Sequence, residues 1–237
     1  MLLWLRSMLF WLFFVATILL FVPLVALGIP LSFERRSRIA ATWARLNLWW
    51  LRVSCGVRYQ IEGQEHIPSK PSIVFAKHQS TWETLALQII FPPQVWVMKR
   101  ELLRIPVFGW GLAMLEPIAI DRGAGRKAVE QLVSQGIERL RKGRWVIIFP
   151  EGTRVPAGQR GRYKIGGAVL AEKAAVPAVP VAHNAGEFWP RHSFLKYPGT
   201  VKVVIGPPIP TEGRSAQQIL ADVEDWIEST VARISNS

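Results

Sequence analysis

Cysteine is nearly absent from this chain of 237 residues, which contains only Cys55. A single thiol excludes an intrachain disulfide and leaves no cysteine pair for a zinc site. No catalytic pattern surrounds Cys55, so we interpret it as a small apolar packing residue.

Two common catalytic signatures are also missing. No Gly-x-Ser-x-Gly segment is present, so the sequence does not indicate a serine nucleophile elbow or an acyl-enzyme. The four histidines are His66, His78, His183 and His192, and none of them belongs to a His-Glu-x-x-His segment. We therefore expect no metal, and chelator-sensitive activity would revive the alternative of a metal hydrolase.

Acidic residues are scarce, since 17 Asp and Glu accompany 29 Lys and Arg for a formal net charge of +12. Such an excess favours an anionic partner, namely a membrane face, a phosphorylated substrate or nucleic acid. The cations form no recognised nucleic-acid module, so we expect no nucleic-acid partner. Eleven tryptophans, several of them beside arginines near the N-terminus, favour a membrane interface.

Charge is almost absent from residues 1–33, where Arg6 is the single charged side chain. A helix from Met1 to Val22 would cross most of a bilayer core, and Pro23 is expected to kink or end it. Three arginines within residues 35–38 place the following segment on the cytoplasmic side. A cleaved signal peptide is the alternative, although no small-x-small cleavage site is clear.

A second helix is predicted over Ile39–Cys55, where Arg45 and Arg52 are the only charges. Its tryptophans suit a helix lying in the membrane interface, and a core helix beneath a catalytic domain is the alternative. The two apolar segments together predict a helical hairpin that dips into the membrane or spans it. We therefore divide the chain into a membrane-anchoring segment, 1–55, and a catalytic domain, 56–237.

Strands and helices alternate through the rest of the chain. Apolar runs typical of strands lie at 57–62, 72–77, 95–98, 117–120, 145–149, 179–182 and 201–205. Helices are predicted at about 80–91, 125–141, 166–175 and from 215 onward. This alternation predicts an α/β fold with a mixed, largely parallel sheet covered by helices.

The segment from His78 to Glu83 joins a predicted strand to the next helix. In one interpretation, Ser80 begins the helix and Glu83 caps it by binding backbone N–H groups. In the other, Glu83 accepts a hydrogen bond from His78, whose second ring nitrogen is then free to act as a base. This segment alone does not separate the two interpretations.

Cations follow three of the predicted strands. Lys99 and Arg100 follow one strand, Arg122 follows the next, and Arg154 ends the segment Phe149-Pro-Glu-Gly-Thr-Arg. The carboxyl ends of parallel strands meet at one edge, so these cations are candidates for an anion site. Independent surface charges are the alternative for some of them.

Four segments resemble the motifs of the glycerolipid acyltransferase family, and most closely its bacterial 1-acyl-sn-glycerol-3-phosphate acyltransferases. His78-x4-Glu83 is similar to the first motif and Phe149–Arg154 to the third. Residues 99–109 look like the second motif and 176–182 like the fourth, so the resemblance covers about residues 55–210. The family usually has Asp where this chain has Glu83, so the geometry of the histidine–acid pair is expected to differ.

The resemblance implies transfer of an acyl group from coenzyme A or acyl carrier protein to the sn-2 hydroxyl of lysophosphatidic acid. The product would be phosphatidic acid, and no cofactor is needed beyond the acyl donor. His78 would be the general base and Glu83 its orienting acid. Lys99 and Arg154 would bind the acceptor phosphate. The other candidate substrate-binding residues are Arg100, Arg122, Glu151, Gly152 and Thr153.

Two details of the third motif remain open. Glu151 has a positioning role in the family, and the alternative is a loop carboxylate paired with Arg154. Gly152 allows a tight turn that exposes backbone N–H groups. These N–H groups, or those of the 78–83 turn, are candidates for stabilising the oxyanion.

The resemblance also implies a place at the cytoplasmic face of the bacterial inner membrane. The expected partners are membrane lipids, lysophosphatidic acid, acyl-CoA and acyl carrier protein. Two other functions fit the same features. The first is an acyltransferase for glycerol 3-phosphate or another lysolipid. The second is a non-enzymatic membrane adaptor, which would use the anchor and the basic face without needing His78.

Overall fold

The computed structural model describes residues 1–27 and 30–235, except for the side chains of Ala26 and Arg122. Seven strands lie within this part of the chain: β1 (Val57–Glu62), β2 (Ile73–Ala76), β3 (Gln94–Lys99), β4 (Ile118–Ile120), β5 (Trp145–Ile148), β6 (Ala178–His183) and β7 (Gly199–Ile205). Its α-helices are α1 (Leu2–Leu27), α2 (Phe33–Cys55), α3 (Trp82–Ile90), α4 (Phe108–Ala113), α5 (Arg126–Arg141), α6 (Gly166–Ala174), α7 (Ala185–Phe188) and α8 (Ala216–Ile234).

The strands form one sheet in the order β1-β7-β6-β2-β5-β3-β4. Neighbouring strands are parallel except for β6 and β7, which are antiparallel. The prediction of a mixed, largely parallel sheet is therefore confirmed. The central strand β2 lies between β5 and β6, with Phe75 opposite Ile148 on one side and Pro180 on the other. The carboxyl ends of β2 and β5 are consequently side by side.

Helices cover both faces of the sheet, as the side chains of β2 illustrate. Val74 and Ala76 belong to a core that includes residues of α1, α2 and α3. Ile73 and Phe75 belong to a second core, formed mainly with α5, α6 and α8. Since alternate residues of a strand point to opposite faces, the apolar run of β2 buries both of its sides.

The N-terminal helices differ from the predicted bounds. Helix α1 continues through Pro23, because a proline inside a helix removes one hydrogen bond and can kink the helix without ending it. Helix α2 begins at Phe33 rather than Ile39. Phe33 is buried, and Arg36 forms an ion pair of 2.8 Å with Glu116, so tertiary contacts stabilise this first turn. Helix α2 ends at Cys55, as predicted, and Gly56 follows it in the left-handed conformation.

Among the described residues, α1 is the one helix long and apolar enough to cross a membrane. Its two sides differ. Phe10 and Phe14 are buried in the core, whereas Leu12 and Leu20 are exposed. Helix α1 therefore packs on the sheet domain with one face and presents leucines outward with the other.

A buried lysine fastens α1 to the segment that follows α7. The Lys196 ammonium lies 4.0 Å from the ring centre of Trp11 and 4.6 Å from that of Trp189, and it donates to the Phe194 carbonyl at 2.7 Å. The Lys196 backbone N–H donates to Ser7 Oγ at 3.0 Å. Burial lowers the pKa of Lys196 to about 7, while the rings favour its charged form.

Candidate active site

The predicted histidine–acid pair is present. His78 Nδ1 lies 2.8 Å from Glu83 Oε1, just beyond the end of β2. The Glu83 side chain is fully buried, whereas 14% of the His78 side chain is exposed. The bond to Nδ1 leaves Nε2 as the ring nitrogen available to a substrate.

The capping interpretation also holds, on the same oxygen. Glu83 Oε1 accepts the backbone N–H groups of Gln79 at 3.0 Å and Ser80 at 2.8 Å. The N-cap is Thr81 rather than the predicted Ser80, but Ser80 Oγ still accepts the Trp82 N–H at 3.1 Å. The helix start thus fixes the carboxylate that orients the histidine.

The charge of Glu83 is stabilised inside the protein. Burial acts to raise its pKa, but the hydrogen bonds from His78 and the Ser80 N–H outweigh burial, so the pKa of Glu83 is lowered. Burial lowers the pKa of His183, so its imidazole is neutral. His183 Nε2 donates to the Lys77 carbonyl at 2.8 Å, and Nδ1 accepts the Ala185 N–H at 3.3 Å.

Aromatic stacking fixes the plane of the His78 ring. The ring lies 3.9 Å from that of Phe149, with an angle of 11° between the planes. Phe149 in turn stacks on Trp96. The Glu83 hydrogen bond and this stack leave the imidazole little rotational freedom before a substrate arrives, which is the preorganisation that catalysis requires.

Glu151 holds the backbone of His78. Its Oε2 accepts the His78 N–H at 2.7 Å, and its Oε1 lies 2.8 Å from Lys77 Nζ. The alternative in which Glu151 pairs with Arg154 is therefore wrong. The sequence reasoning missed Lys77, although a charged residue directly after a wholly apolar strand was a signal that it needs a buried partner.

An apolar cavity of about 520 Å³ opens beside His78. Its apolar wall comes mainly from α1, α2 and α4, including Phe14, Ile18, Val22, Val25, Ala40, Trp43, Phe108 and Leu112. Its polar end is lined by His78, Lys99, Gly152, Thr153 and Arg154. The sheet edge thus brings a histidine and two cations to the wall of an apolar cavity.

Only some of the predicted cations line the cavity. Lys99 and Arg154 line it, and Arg154 Nε is buried without a hydrogen-bond partner among the described residues. Arg100 is exposed and is not part of the lining. The side chain of Arg122 lies outside the described part of the structure.

Two residues near Arg154 carried no sequence signal. Arg191 Nη1 donates to the Arg154 carbonyl at 2.6 Å, and His192 lines the cavity with a positive φ of 58°. Both residues lie outside the four recognised motifs. Folding of the segment after α7 places them beside the loop of the third motif.

The turn at Gly152 is as predicted, with φ of 68°. Its N–H, however, donates to the Phe149 carbonyl at 3.0 Å. The Gln79 and Ser80 amides are similarly bound to Glu83. These three amides each already have an acceptor in the protein. The prediction that backbone N–H groups near Gly152 or in the 78–83 turn stabilise an oxyanion is thereby narrowed to the other amides of the two segments, and it stays a prediction.

Residues 58–184 match the family model described as Acyltransferase, which is more than half of the chain. This chain belongs to the acyltransferase family. The matched region extends from β1 to just past β6 and includes both His78 and Arg154.

Named relatives support this membership. A 1-acyl-sn-glycerol-3-phosphate acyltransferase of Pseudomonas aeruginosa is 49% identical over 209 residues, with 86% of this chain and 81% of the relative covered. The human 1-acyl-sn-glycerol-3-phosphate acyltransferase alpha is 31% identical over 180 residues, which cover 75% of this chain and 64% of the human protein.

A solved acyltransferase structure shares the whole architecture. The 1-acyl-sn-glycerophosphate (LPA) acyltransferase PlsC from Thermotoga maritima superposes with a TM-score of 0.81 at 25% identity. The match covers 98% of this chain and 97% of PlsC. Helices α1 and α2 precede the region of the family model but lie within this structural match, so they are part of the shared fold.

Proposed function

We propose that this acyltransferase transfers a fatty acyl group from a thioester to the sn-2 hydroxyl of 1-acyl-sn-glycerol 3-phosphate. The thioester is that of coenzyme A or acyl carrier protein, and the product is phosphatidic acid. One observation carries the proposal: the His78–Glu83 pair lies at the polar end of an apolar cavity that Lys99 and Arg154 also line. The names of the relatives agree with it.

The reaction requires one proton to move twice. His78 Nε2 removes the proton of the acceptor hydroxyl as the oxygen attacks the thioester carbonyl. The resulting imidazolium is stabilised by the charge of Glu83, which is in contact with Nδ1. When the tetrahedral intermediate collapses, the carbon–sulfur bond breaks and the thiolate takes the proton from His78. The ester and a free thiol are formed, and His78 is regenerated.

The acceptor phosphate is proposed to bind Lys99 and Arg154. A guanidinium can donate two parallel hydrogen bonds to a phosphate, and Arg154 lines the cavity beside His78. Arg191 donates to the backbone carbonyl of Arg154 and so helps to fix the position of the Arg154 backbone. Thr153 lines the same cavity.

The apolar wall favours an acceptor that carries an acyl chain over glycerol 3-phosphate. Each buried methylene stabilises binding by about 0.8 kcal/mol, so ten of them contribute roughly 8 kcal/mol before the cost of ordering the chain. Glycerol 3-phosphate has no hydrocarbon chain to bury. Because the acceptor and the product, lysophosphatidic acid and phosphatidic acid, are membrane lipids, we propose that α1 brings the site to the bacterial inner membrane. The active site is then at the cytoplasmic face.

An assay of the purified protein tests the proposal. Lysophosphatidic acid and glycerol 3-phosphate are offered in turn, each with acyl-CoA or acyl carrier protein thioester, to wild type and to the His78→Ala variant. We expect acylation of lysophosphatidic acid and at least about a hundredfold slower turnover by the variant, the usual effect of removing a general base.

Each other outcome has a meaning. Near-normal turnover by His78→Ala would contradict the base assignment. Preference for glycerol 3-phosphate would support the other acyltransferase. Absence of turnover with every substrate pair would support the membrane adaptor.

A further inference from the structure

A network of largely buried charged side chains, none of which lines the cavity, contacts the backbone of His78. Lys77 follows β2 directly, and its side chain has no exposed surface. Its ammonium lies 2.8 Å from Glu151 Oε1 and 2.7 Å from Glu228 Oε1, and it donates to the Gln159 carbonyl at 3.2 Å. Tyr163 Oη donates to the same Glu228 oxygen at 2.8 Å.

This network ends on the backbone of the catalytic histidine. The second oxygen of Glu151 accepts the His78 N–H at 2.7 Å. The carboxylate of Glu151 therefore links the Lys77 ammonium to the His78 backbone N–H. The His78 carbonyl is also engaged, because it accepts the Val155 N–H at 2.7 Å. Both peptide groups of His78 are therefore held by the loop that follows β5.

The backbone of Lys77 is fixed from the other side of β2. Its N–H donates to the Val181 carbonyl at 3.0 Å, and its carbonyl accepts from His183 Nε2 at 2.8 Å. The backbone of Lys77 is therefore hydrogen-bonded to β6, and its ammonium is paired with two carboxylates. One of those carboxylates, Glu228, belongs to α8 and is 151 positions from Lys77 in the chain.

We propose that Lys77 is a positioning residue for the acyl transfer. Its ammonium holds Glu151 in the orientation that fixes the His78 peptide, and Glu228 of α8 holds the ammonium. The proposal rests on the proposed function for its catalytic consequence, but not for its structural one. Without the cation, the buried carboxylate of Glu151 loses its counter-charge, and the hydrogen bond to the His78 N–H no longer has a fixed acceptor.

The test uses Lys77→Met, which keeps the length of the side chain and removes its charge. Glu224→Gln is the matched control, since Glu224 lies one turn earlier on α8 and pairs with the exposed Arg160. The measurements are kcat, KM for lysophosphatidic acid and for the thioester, and amide hydrogen exchange at His78. Exchange is read by NMR on the protein in detergent micelles.

We expect kcat of Lys77→Met to fall about tenfold or more, with both KM values within about twofold, because a displaced base affects the chemical step rather than binding. Exchange at the His78 amide should accelerate by about tenfold. In a His78→Ala background the same substitution should leave the residual rate unchanged, because no base remains to be positioned. Glu224→Gln should behave as wild type.

A folded Lys77→Met protein with wild-type kcat and wild-type exchange at His78 would overturn the proposal. An equal fold-loss in the His78→Ala background would also overturn it. If Lys77→Met does not fold, Glu228→Gln replaces it, with an expected loss in kcat of about threefold and faster exchange at His78. Wild-type values for both would then count against the proposal.

If wild type fails to acylate lysophosphatidic acid, the proposed function is wrong, and the exchange measurement still decides whether Lys77 fixes the His78 peptide.

Discussion

Side chains that follow β2 are buried and bonded to several partners, whereas the cations at the mouth of the cavity are more open. In the polar centre, formed by Lys77, His78, Glu83 and Glu151, Glu83 Oε1 alone receives three hydrogen bonds. In the cationic rim, formed by Lys99 and Arg154, Lys99 is exposed and Arg154 is half-buried.

The difference reflects what each region must do. A general base has to be within hydrogen-bond reach of one proton, so the protein fixes its position with many short contacts. The charge of a phosphate is spread over several oxygens, so cations can bind the phosphate from more than one direction. We therefore expect changes in the polar centre to affect kcat, and changes in the cationic rim to affect KM for the acceptor.

The largest effect among the following variants is expected for Glu83→Gln. The amide oxygen of glutamine can keep all three hydrogen bonds of Glu83 Oε1, but the charge that stabilises the His78 imidazolium is lost. We expect kcat to fall about tenfold to a hundredfold, with little change in the thermal midpoint. Unaltered kcat in steady-state kinetics would mean that Glu83 is a helix cap and nothing more.

Arg154→Ala should have the next largest effect. Loss of charge-assisted hydrogen bonds to the phosphate costs about 1.5–3 kcal/mol, which corresponds to a rise of roughly tenfold or more in KM for lysophosphatidic acid. Discrimination against a neutral monoacylglycerol should weaken by a similar factor. A wild-type KM with unchanged discrimination would remove Arg154 from the phosphate site.

Lys99→Ala should raise the same KM less, by about threefold to fivefold, because an exposed ammonium interacts with a phosphate through water and counter-ions. The effect should diminish further in assays at high salt. A Lys99 effect as large as that of Arg154, or one insensitive to salt, would place the lysine in a more enclosed contact than this structure has.

The smallest effect is expected for Arg100→Ala. Arg100 is next to Lys99 in the chain and is equally exposed, but it is not part of the cavity wall. Both kcat and KM should stay within about twofold of wild type, as for most surface substitutions away from a site. A large rise in KM would extend the cationic rim beyond the wall of the cavity.

The polar centre could be predicted from sequence only where its contacts are local. His78 and Glu83 are five residues apart at the start of a helix, so turn and capping rules apply to them directly. Lys77 and Glu228 are separated by 151 positions, and their contact depends on how α8 packs on the sheet. No periodicity or motif encodes that packing, so the lysine was missed and Glu151 was assigned an alternative partner.

The fold was predictable for a different reason. Runs such as Ile73–Ala76 and Trp145–Ile148 are apolar on both sides, and only a sheet covered on both faces buries such strands. Element ends were less predictable. The start of α2 depends on the burial of Phe33 and on the pairing of Arg36 with Glu116, which lie far apart in sequence.

The contact between Lys196 and aromatic rings of α1 has a practical consequence for preparing the protein. Membrane enzymes are often shortened at the N-terminus to obtain a water-soluble fragment. Here α1 supplies two of the rings around the Lys196 ammonium, Phe10 and Trp11, and part of the wall of the apolar cavity. A fragment without α1 would leave the ammonium without these two rings and the cavity open to water on one side. Helix α1 is thus part of the cavity wall, so we expect the whole chain in detergent, rather than a truncated fragment, to keep the cavity intact.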